Sequence, residues 1–100
     1  MSDTAFQIEN NEKDLRFKLE VNGEVAYLSY NFYKRDLALI HTSVPTALSG
    51  KGVGSALAKE AFEYAKRLKM MVIVFCPFVA GFLKKHTEYR IMLDPAYTGR

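Results

Sequence analysis

The segment Leu48-Ser-Gly-Lys-Gly-Val-Gly-Ser-Ala-Leu57 places three glycines and a lysine directly before a change in hydrophobic period. Beyond it, apolar side chains recur every three or four residues, which is typical of an amphipathic helix. They are Val53, Leu57, Ala61, Ala65 and Leu68. The sequence therefore predicts a glycine-rich turn that opens a helix running from about Gly52 to Lys69.

The glycine turn allows two interpretations. Glycines let the backbone approach a ligand closely, and the free N–H groups and positive end of a helix favour an anion, so a pyrophosphate would fit there. Alternatively, the turn only reverses the chain into the helix. It is neither a Walker A loop nor a dinucleotide fingerprint, because the lysine directly follows Gly50 and Leu57 stands where a third glycine is needed.

A β-hairpin precedes this turn. Leu15–Val21 alternates apolar and polar side chains, as in a half-buried strand. Asn22-Gly23 favours the positive φ values of a two-residue type I′ turn, so the run from about Glu24 to Tyr33 is predicted to pair antiparallel with the first strand.

The remaining elements complete one mixed sheet. A short strand around Phe6–Glu9 is closed by Asn10-Asn11, and a strand over Leu37–Val44 follows the polar Lys34-Arg35-Asp36. After the long helix come a buried strand over Met71–Cys76 ended by Pro77, a short helix over Phe78–His86, and two strand or turn candidates around Ile91–Leu93. Because a helix joins Leu37–Val44 to Met71–Cys76, these two strands are predicted to be parallel neighbours. We therefore expect an α+β fold over residues 1–100, with a mostly antiparallel sheet and helices packed on it.

Composition limits the class of protein. One hundred residues, 49% of them hydrophobic, suffice for one compact domain. The single cysteine cannot form an internal disulfide, no Cys/His cluster has zinc-ligand spacing, and no segment is long and apolar enough to cross a bilayer. We therefore expect no metal, no membrane association and an intracellular location, cytoplasmic or nuclear.

The formal net charge of +3 is unevenly distributed. Residues 1–50 carry five Lys or Arg against seven Asp or Glu, and residues 51–100 carry nine against four, which gives −2 and +5. An anionic ligand near the second half and a cationic one near the first would suit this asymmetry, although scattered surface lysines give the same count.

Four spaced blocks, extending over most of the chain, resemble a minimal, single-domain branch of the GNAT superfamily of N-acetyltransferases. They are His41-Thr-x-Val-Pro45, Gly50-Lys-Gly-Val-Gly54, Cys76-Pro-Phe-Val79 and Lys85-His-x-Glu-Tyr89. The superfamily motif for acetyl-CoA is Arg/Gln-x-x-Gly-x-Gly/Ala. The stretch Ser49–Gly54 matches its last two defined positions and not its first.

The resemblance implies a GNAT-like fold that binds acetyl-CoA or CoA where the sheet splays, between the strands ending near Val44 and Cys76. Thr42–Val44 would run beside the pantetheine arm, and Lys51–Ser55 would hold the pyrophosphate. Lys84-Lys85-His86 would contact the 3′-phosphate, unless these cations only stabilise the end of their helix. The residues assigned to the ligand are Thr42, Ser43, Val44, Ser49, Gly50, Lys51, Gly52, Val53, Gly54, Ser55, Phe82 and Lys85.

Acetyl transfer to an amine needs a proton acceptor and a group that protonates the departing thiolate. Many superfamily members use a tyrosine on the second helix, but the corresponding Gly81-Phe82-Leu83 has no hydroxyl. Cys76 and His41 are the candidate catalytic residues instead. Cys76 would accept the acetyl group or protonate the leaving group, and His41 would assist if it faces Cys76. In the alternative interpretation both side chains only pack.

The predicted function is an acetyl-CoA-dependent N-acetyltransferase acting on a primary amine, either a protein lysine or a small polyamine, so that a basic protein is one candidate partner. The alternatives are a non-catalytic CoA-binding module and a protein-interaction domain whose glycine turn is structural. Nucleic-acid binding is disfavoured, because the aromatic residues of Glu24–Tyr33 fit a packed sheet better than a basic platform. The oligomeric state is left open.

Overall fold

The structure, a computed structural model, describes residues 7–95. The strands are β1 (Glu9–Asn11), β2 (Arg16–Val21), β3 (Glu24–Tyr33), β4 (Asp36–Ser43) and β5 (Val72–Val74). The helices are α1 (Val53–Leu68) and α2 (Pro77–Lys85), with short 3₁₀ helices at Thr46–Leu48 and Thr87–Met92. One sheet has the order β1-β2-β3-β4-β5, antiparallel except for the parallel pair β4–β5. The predicted α+β class with a mixed, mostly antiparallel sheet is confirmed.

Two tight turns set the register of the meander. Val21 pairs with Glu24 across Asn22 and Gly23, whose φ values are 52° and 84°, which confirms the predicted two-residue turn. Tyr33 pairs with Asp36 in the next hairpin, so Asp36 belongs to β4 and only two residues of the predicted polar separator form the turn.

The short first strand lies further along the chain than predicted. Asn10 and Asn11, predicted to close it, pair with β2 as part of β1, while Phe6 lies outside the described residues. The Tyr30 hydroxyl donates a 2.6 Å hydrogen bond to Asn10 Oδ1. This partner and the β2 ladder outweigh the weak intrinsic strand preference of asparagine.

The parallel strands β4 and β5 separate after three paired positions. The register runs from Leu37 with Val72 to Leu39 with Val74, and the last ladder bond joins Phe75 N–H to Leu39 C=O at 2.9 Å. β4 also carries a β-bulge at Ile40, because Tyr30 pairs with Leu39 while the preceding Ser29 pairs with His41. The sheet therefore splays beyond Leu39.

β5 is shorter than the predicted strand over Met71–Cys76. Val72 and Ile73 are fully buried, as a strand covered on both faces should be, but Met71 and Phe75 are 39% and 59% exposed. In the tail, where a strand or turn was predicted around Ile91–Leu93, Ile91 and Met92 belong to the 3₁₀ helix Thr87–Met92, and Leu93 makes one parallel bridge with Val72.

Both helices pack on one face of the sheet. Their inward side chains share one hydrophobic core with alternate residues of β2 to β5, including Phe17, Leu28, Leu39, Leu57, Phe62, Val72, Val79 and Leu83. α1 ends at Leu68 and is capped by Lys69, which has a left-handed backbone and whose N–H donates to the carbonyls of Ala65 and Lys66. Within residues 7–95, neither helix combines the length and the apolar character that a membrane span requires.

Candidate functional site

The three glycines of the turn serve two different purposes. Gly50 and Gly52 have φ values of 78° and 81°, a region that favours glycine, and a Cβ at either position would meet nothing within 4 Å. Gly54 is helical, and its Cβ would lie 2.5 Å from Cζ of Phe78. The first two glycines are therefore required by backbone shape, and the third by the close approach of an aromatic ring.

The turn leaves the N-terminus of α1 available to an anion. Gly52 is the N-cap, and no side chain caps the helix through a hydrogen bond. The first turn of α1, all of it among the described residues, contains no acidic side chain. Because the first N–H groups of a helix have no partner within it and carry partial positive charge, they attract phosphate. The exposed side chains of Lys51 and Ser55 flank these groups.

A cavity of about 240 Å³ lies against this helix terminus. It contains seven of the residues assigned to the ligand from the sequence, together with Leu48 and Phe78, which were not predicted. The lining residues are Val44, Leu48, Ser49, Gly50, Gly52, Val53, Gly54, Ser55 and Phe78. The cavity is therefore formed by the end of β4, the glycine turn and the first turns of both helices.

A thiol and a hydroxyl meet across the splay beside this cavity. Thr42 Oγ1 lies 3.1 Å from Cys76 Sγ, and either atom can be the donor. Cys76 is only 2% exposed. Val44 lies two residues after Thr42, Phe78 lies two residues after Cys76, and both line the cavity. The thiol and hydroxyl thus lie just beyond one wall of the cavity.

Comparisons with known proteins agree with this geometry. The family model for GCN5-related N-acetyltransferases matches residues 16–92, from β2 to the 3₁₀ helix Thr87–Met92. The chain belongs to the GCN5-related N-acetyltransferase family. The resemblance inferred from the four sequence blocks is confirmed.

Vertebrate relatives align with most of this chain in sequence. The protein NATD1 of Gallus gallus is 30% identical over 94 residues, covering 89% of this chain and 86% of the relative. That of Xenopus tropicalis is 27% identical over 97 residues, covering 92% and 89%. The NMR solution structure of a GCN5-like protein from Staphylococcus aureus superposes with a TM-score of 0.69 at 26% identity, covering 88% and 87% of the two chains.

His41 does not join Cys76 in this acetyltransferase-family fold. Because the bulge at Ile40 adds one residue to β4, His41 pairs with Ser29 on the sheet face away from the helices, while Thr42 turns toward the core. The His41 ring lies 6.0 Å from the ring of Tyr27, on that outer face. The two candidate catalytic side chains are therefore on opposite faces, and Thr42 takes the place foreseen for His41.

Phe82 and Lys85 also lie away from the cavity. Phe82 is 5% exposed and stacks on His86 and Phe62, with ring centroids 4.3 and 6.1 Å away. Lys85 belongs to the last turn of α2, seven residues beyond Phe78, or roughly 10 Å along the helix. The structure places Phe82 in the core because its aromatic neighbours bury it, which the sequence blocks do not reveal.

The block ending at Tyr89 has a packing role. Tyr89 stacks on Phe62 at 5.0 Å, and its hydroxyl donates a 2.8 Å hydrogen bond to Glu63 Oε2. Burial and this carboxylate raise the pKa of Tyr89 well above its usual range, while the hydrogen bond lowers the pKa of Glu63. The pair joins α1 to the 3₁₀ helix after α2 and lies apart from the cavity.

Proposed function

We propose that this protein is an acetyl-CoA-dependent N-acetyltransferase that acetylates a primary amine, of a protein lysine or a polyamine. The observation that carries the proposal is the continuity of the site: an anion-binding helix terminus, a cavity, and a thiol–hydroxyl pair follow one another between β4 and β5. Membership of the family supports acyl transfer in general. The net −2 of residues 1–50 supports a cationic acceptor.

The residues present suit CoA. The uncapped N–H groups at the start of α1 and the Lys51 ammonium would hold the pyrophosphate, and Gly50 and Gly52 keep that approach clear of side chains. Val44, Leu48 and Phe78 provide apolar contact on the path toward Cys76. When bound, acetyl-CoA supplies a thioester whose carbonyl carbon an amine can attack.

Cys76 and Thr42 would handle the departing sulfur. In direct transfer, the amine would form a C–N bond as the thioester C–S bond breaks, and the Cys76 thiol would give its proton to the CoA thiolate. The proton lost by the amine would then return to the Cys76 sulfur, which accepts a hydrogen bond from Thr42 in the meantime. In a two-step route, the Cys76 sulfur would attack the thioester carbonyl carbon, and its proton would pass to the departing CoA thiolate. The amine would then attack the cysteine thioester, and its proton would pass to the released Cys76 thiolate. Near-normal acetyl transfer by Cys76→Ala would eliminate the two-step route.

The proposal is tested by calorimetric titration of CoA and of acetyl-CoA into the purified protein. Ser55→Glu is the test variant, and Ser55→Gln is its uncharged control of similar size. Ser55 is the third residue of α1 and exposed, so a glutamate there fits the helix dipole and preserves the fold. Its carboxylate would repel the pyrophosphate, so we expect CoA affinity to fall at least about tenfold in Ser55→Glu and only a few-fold in Ser55→Gln. Absence of CoA binding by the unmodified chain would refute the proposal.

Turnover is the second arm of the test. Acetyl-CoA is incubated with lysine peptides and with polyamines, and free thiol and acetylated amine are followed together. Release of CoA in step with amine acetylation supports the enzyme. Binding of CoA with no acetylated amine would instead identify a non-catalytic CoA-binding module.

A further inference from the structure

The side chain of Phe78 is partly exposed and lies at the border of the cavity. Phe78 is the second residue of α2 and is 44% exposed, although an aromatic side chain gains most from burial. Its ring edge approaches α1 so closely that a Cβ on Gly54 would lie 2.5, 2.8 and 3.2 Å from Cζ, Cε2 and Cε1. The ring therefore packs closely against α1 on one side and is open to the cavity on the other.

Phe78 and Val44 lie between the glycine turn and the Thr42–Cys76 contact. Val44 lies two residues beyond Thr42, Phe78 lies two residues beyond Cys76, and both line the cavity. A molecule with its anionic end at the glycine turn and its reactive end at Cys76 passes between these two side chains. The contact with Gly54 sets how far Phe78 extends into that passage.

We propose that Phe78, held by Gly54, is the positioning residue for the thioester-bearing arm of the ligand, and that this pair determines affinity for the arm independently of the anion site. The inference rests on the proposed function. It assigns Gly54 to the arm, through Phe78, whereas Gly50 and Gly52 remain with the phosphate.

The pair can be tested by substitution on each side. Phe78→Ala removes the wall. Gly54→Ala supplies the missing Cβ, and because the conflicting atoms are the far end of a partly exposed side chain, the ring can swing away and the fold is kept. Alanine is also the better helix former. Gly54→Ala combined with Phe78→Leu shortens the ring side chain and relieves the conflict.

Binding of CoA is compared with binding of ADP, which carries the pyrophosphate and lacks the arm, by NMR titration, with thermal unfolding of each variant as a check of the fold. We expect Phe78→Ala and Gly54→Ala each to weaken CoA about tenfold, equivalent to about 1.4 kcal/mol, and to leave ADP affinity within about twofold. The double variant should recover part of the CoA affinity lost in Gly54→Ala.

The outcomes separate the two proposals. If the unmodified chain binds CoA, and Phe78→Ala and Gly54→Ala bind it equally well, the inference about Phe78 is overturned while the proposed function stands. Equal weakening of ADP and CoA would also overturn it, because Phe78 would then belong to the anion site. If the unmodified chain binds neither ligand, the proposed function fails first.

Discussion

The two ends of the strand–helix–strand unit are built differently. At one end, which we call the open end, β4 and β5 finish and α1 and α2 begin, with glycines, a cavity and the exposed Phe78. At the other, the packed end, the helices finish among stacked aromatic rings, and hydrogen bonds from Tyr30, Tyr64 and Tyr89 tie the elements together. One helix, α1, therefore joins the aromatic cluster toward its C-terminal end and borders the cavity at its N-terminal end.

The largest expected effect tests this division at the packed end. Phe62 is fully buried and stacks on Phe82 and Tyr89, so Phe62→Ala should lower the free energy of unfolding by about 3–5 kcal/mol. Phe78→Ala at the open end should cost about 1 kcal/mol or less, because its side chain is already partly in water. Urea unfolding measures both free energies, and equal losses would contradict a different role for the two ends.

The second prediction concerns the start of β4, also at the packed end. Burial, followed by a hydrogen bond and repulsion from Asp94, raises the pKa of Asp36 from 3.8 to about 6. A raised folded-state pKa means that the stability from this group is present below pH 3.8 and lost as the pH rises through 6. As the pH rises from 4 to 7, the free energy of unfolding of Asp36→Asn should therefore increase relative to that of the unmodified chain by on the order of 2 kcal/mol. Parallel stability curves for the two chains over this range would contradict the assignment.

The third prediction has the opposite dependence on pH. Because the hydrogen bond from Tyr89 lowers the pKa of Glu63 from 4.5, its stabilisation is present above that pH and lost as the pH falls. Tyr89→Phe should cost about 1 kcal/mol at pH 7 and progressively less in acid. The matched control is Tyr64→Phe, which removes an exposed 3.0 Å bond to Glu12 and should cost less. A Tyr89→Phe penalty independent of pH would point to ring packing instead.

The smallest effect lies at the open end. Lys51 is exposed, so its contribution to CoA binding is electrostatic and screened by salt. Lys51→Ala should weaken CoA about threefold at low ionic strength and have no measurable effect at 1 M salt. Lys59→Ala, another exposed lysine further along α1, serves as control and should leave the affinity unchanged. If the loss of CoA affinity in Lys51→Ala persists in high salt, Lys51 makes a direct hydrogen bond or packing contact with CoA, and the electrostatic prediction is wrong.

The predictable parts of the fold are those encoded locally. Asn22-Gly23 fixes its hairpin through the φ values of two residues, and the apolar period after Gly52 defines α1 to within one residue at each end. The parallel pairing of β4 and β5 followed from chain connectivity. Connectivity does not predict where β5 ends, because that end depends on where β4 and β5 separate, beyond Leu39.

The unpredicted parts depend on contacts between distant residues. One extra residue at Ile40 reverses the faces of His41 and Thr42, and no local pattern marks that bulge. The contact between Gly54 and Phe78 joins residues 24 apart in the sequence, so no local pattern reveals it. An aromatic residue beside Cys76-Pro77 was the available signal for Phe78, but only the fold shows where its ring points.

The buried contact between Thr42 and Cys76 gives the molecule an internal reporter. Since the sequence contains a single cysteine, any thiol reagent that modifies the chain reports on one location, the gap between the diverging strands. At 2% exposure the sulfur reacts only when that gap opens, so the alkylation rate counts opening events in the way that amide exchange does for backbone. The rate of Cys76 alkylation therefore measures how often β4 and β5 separate, and the natural sequence needs no added probe.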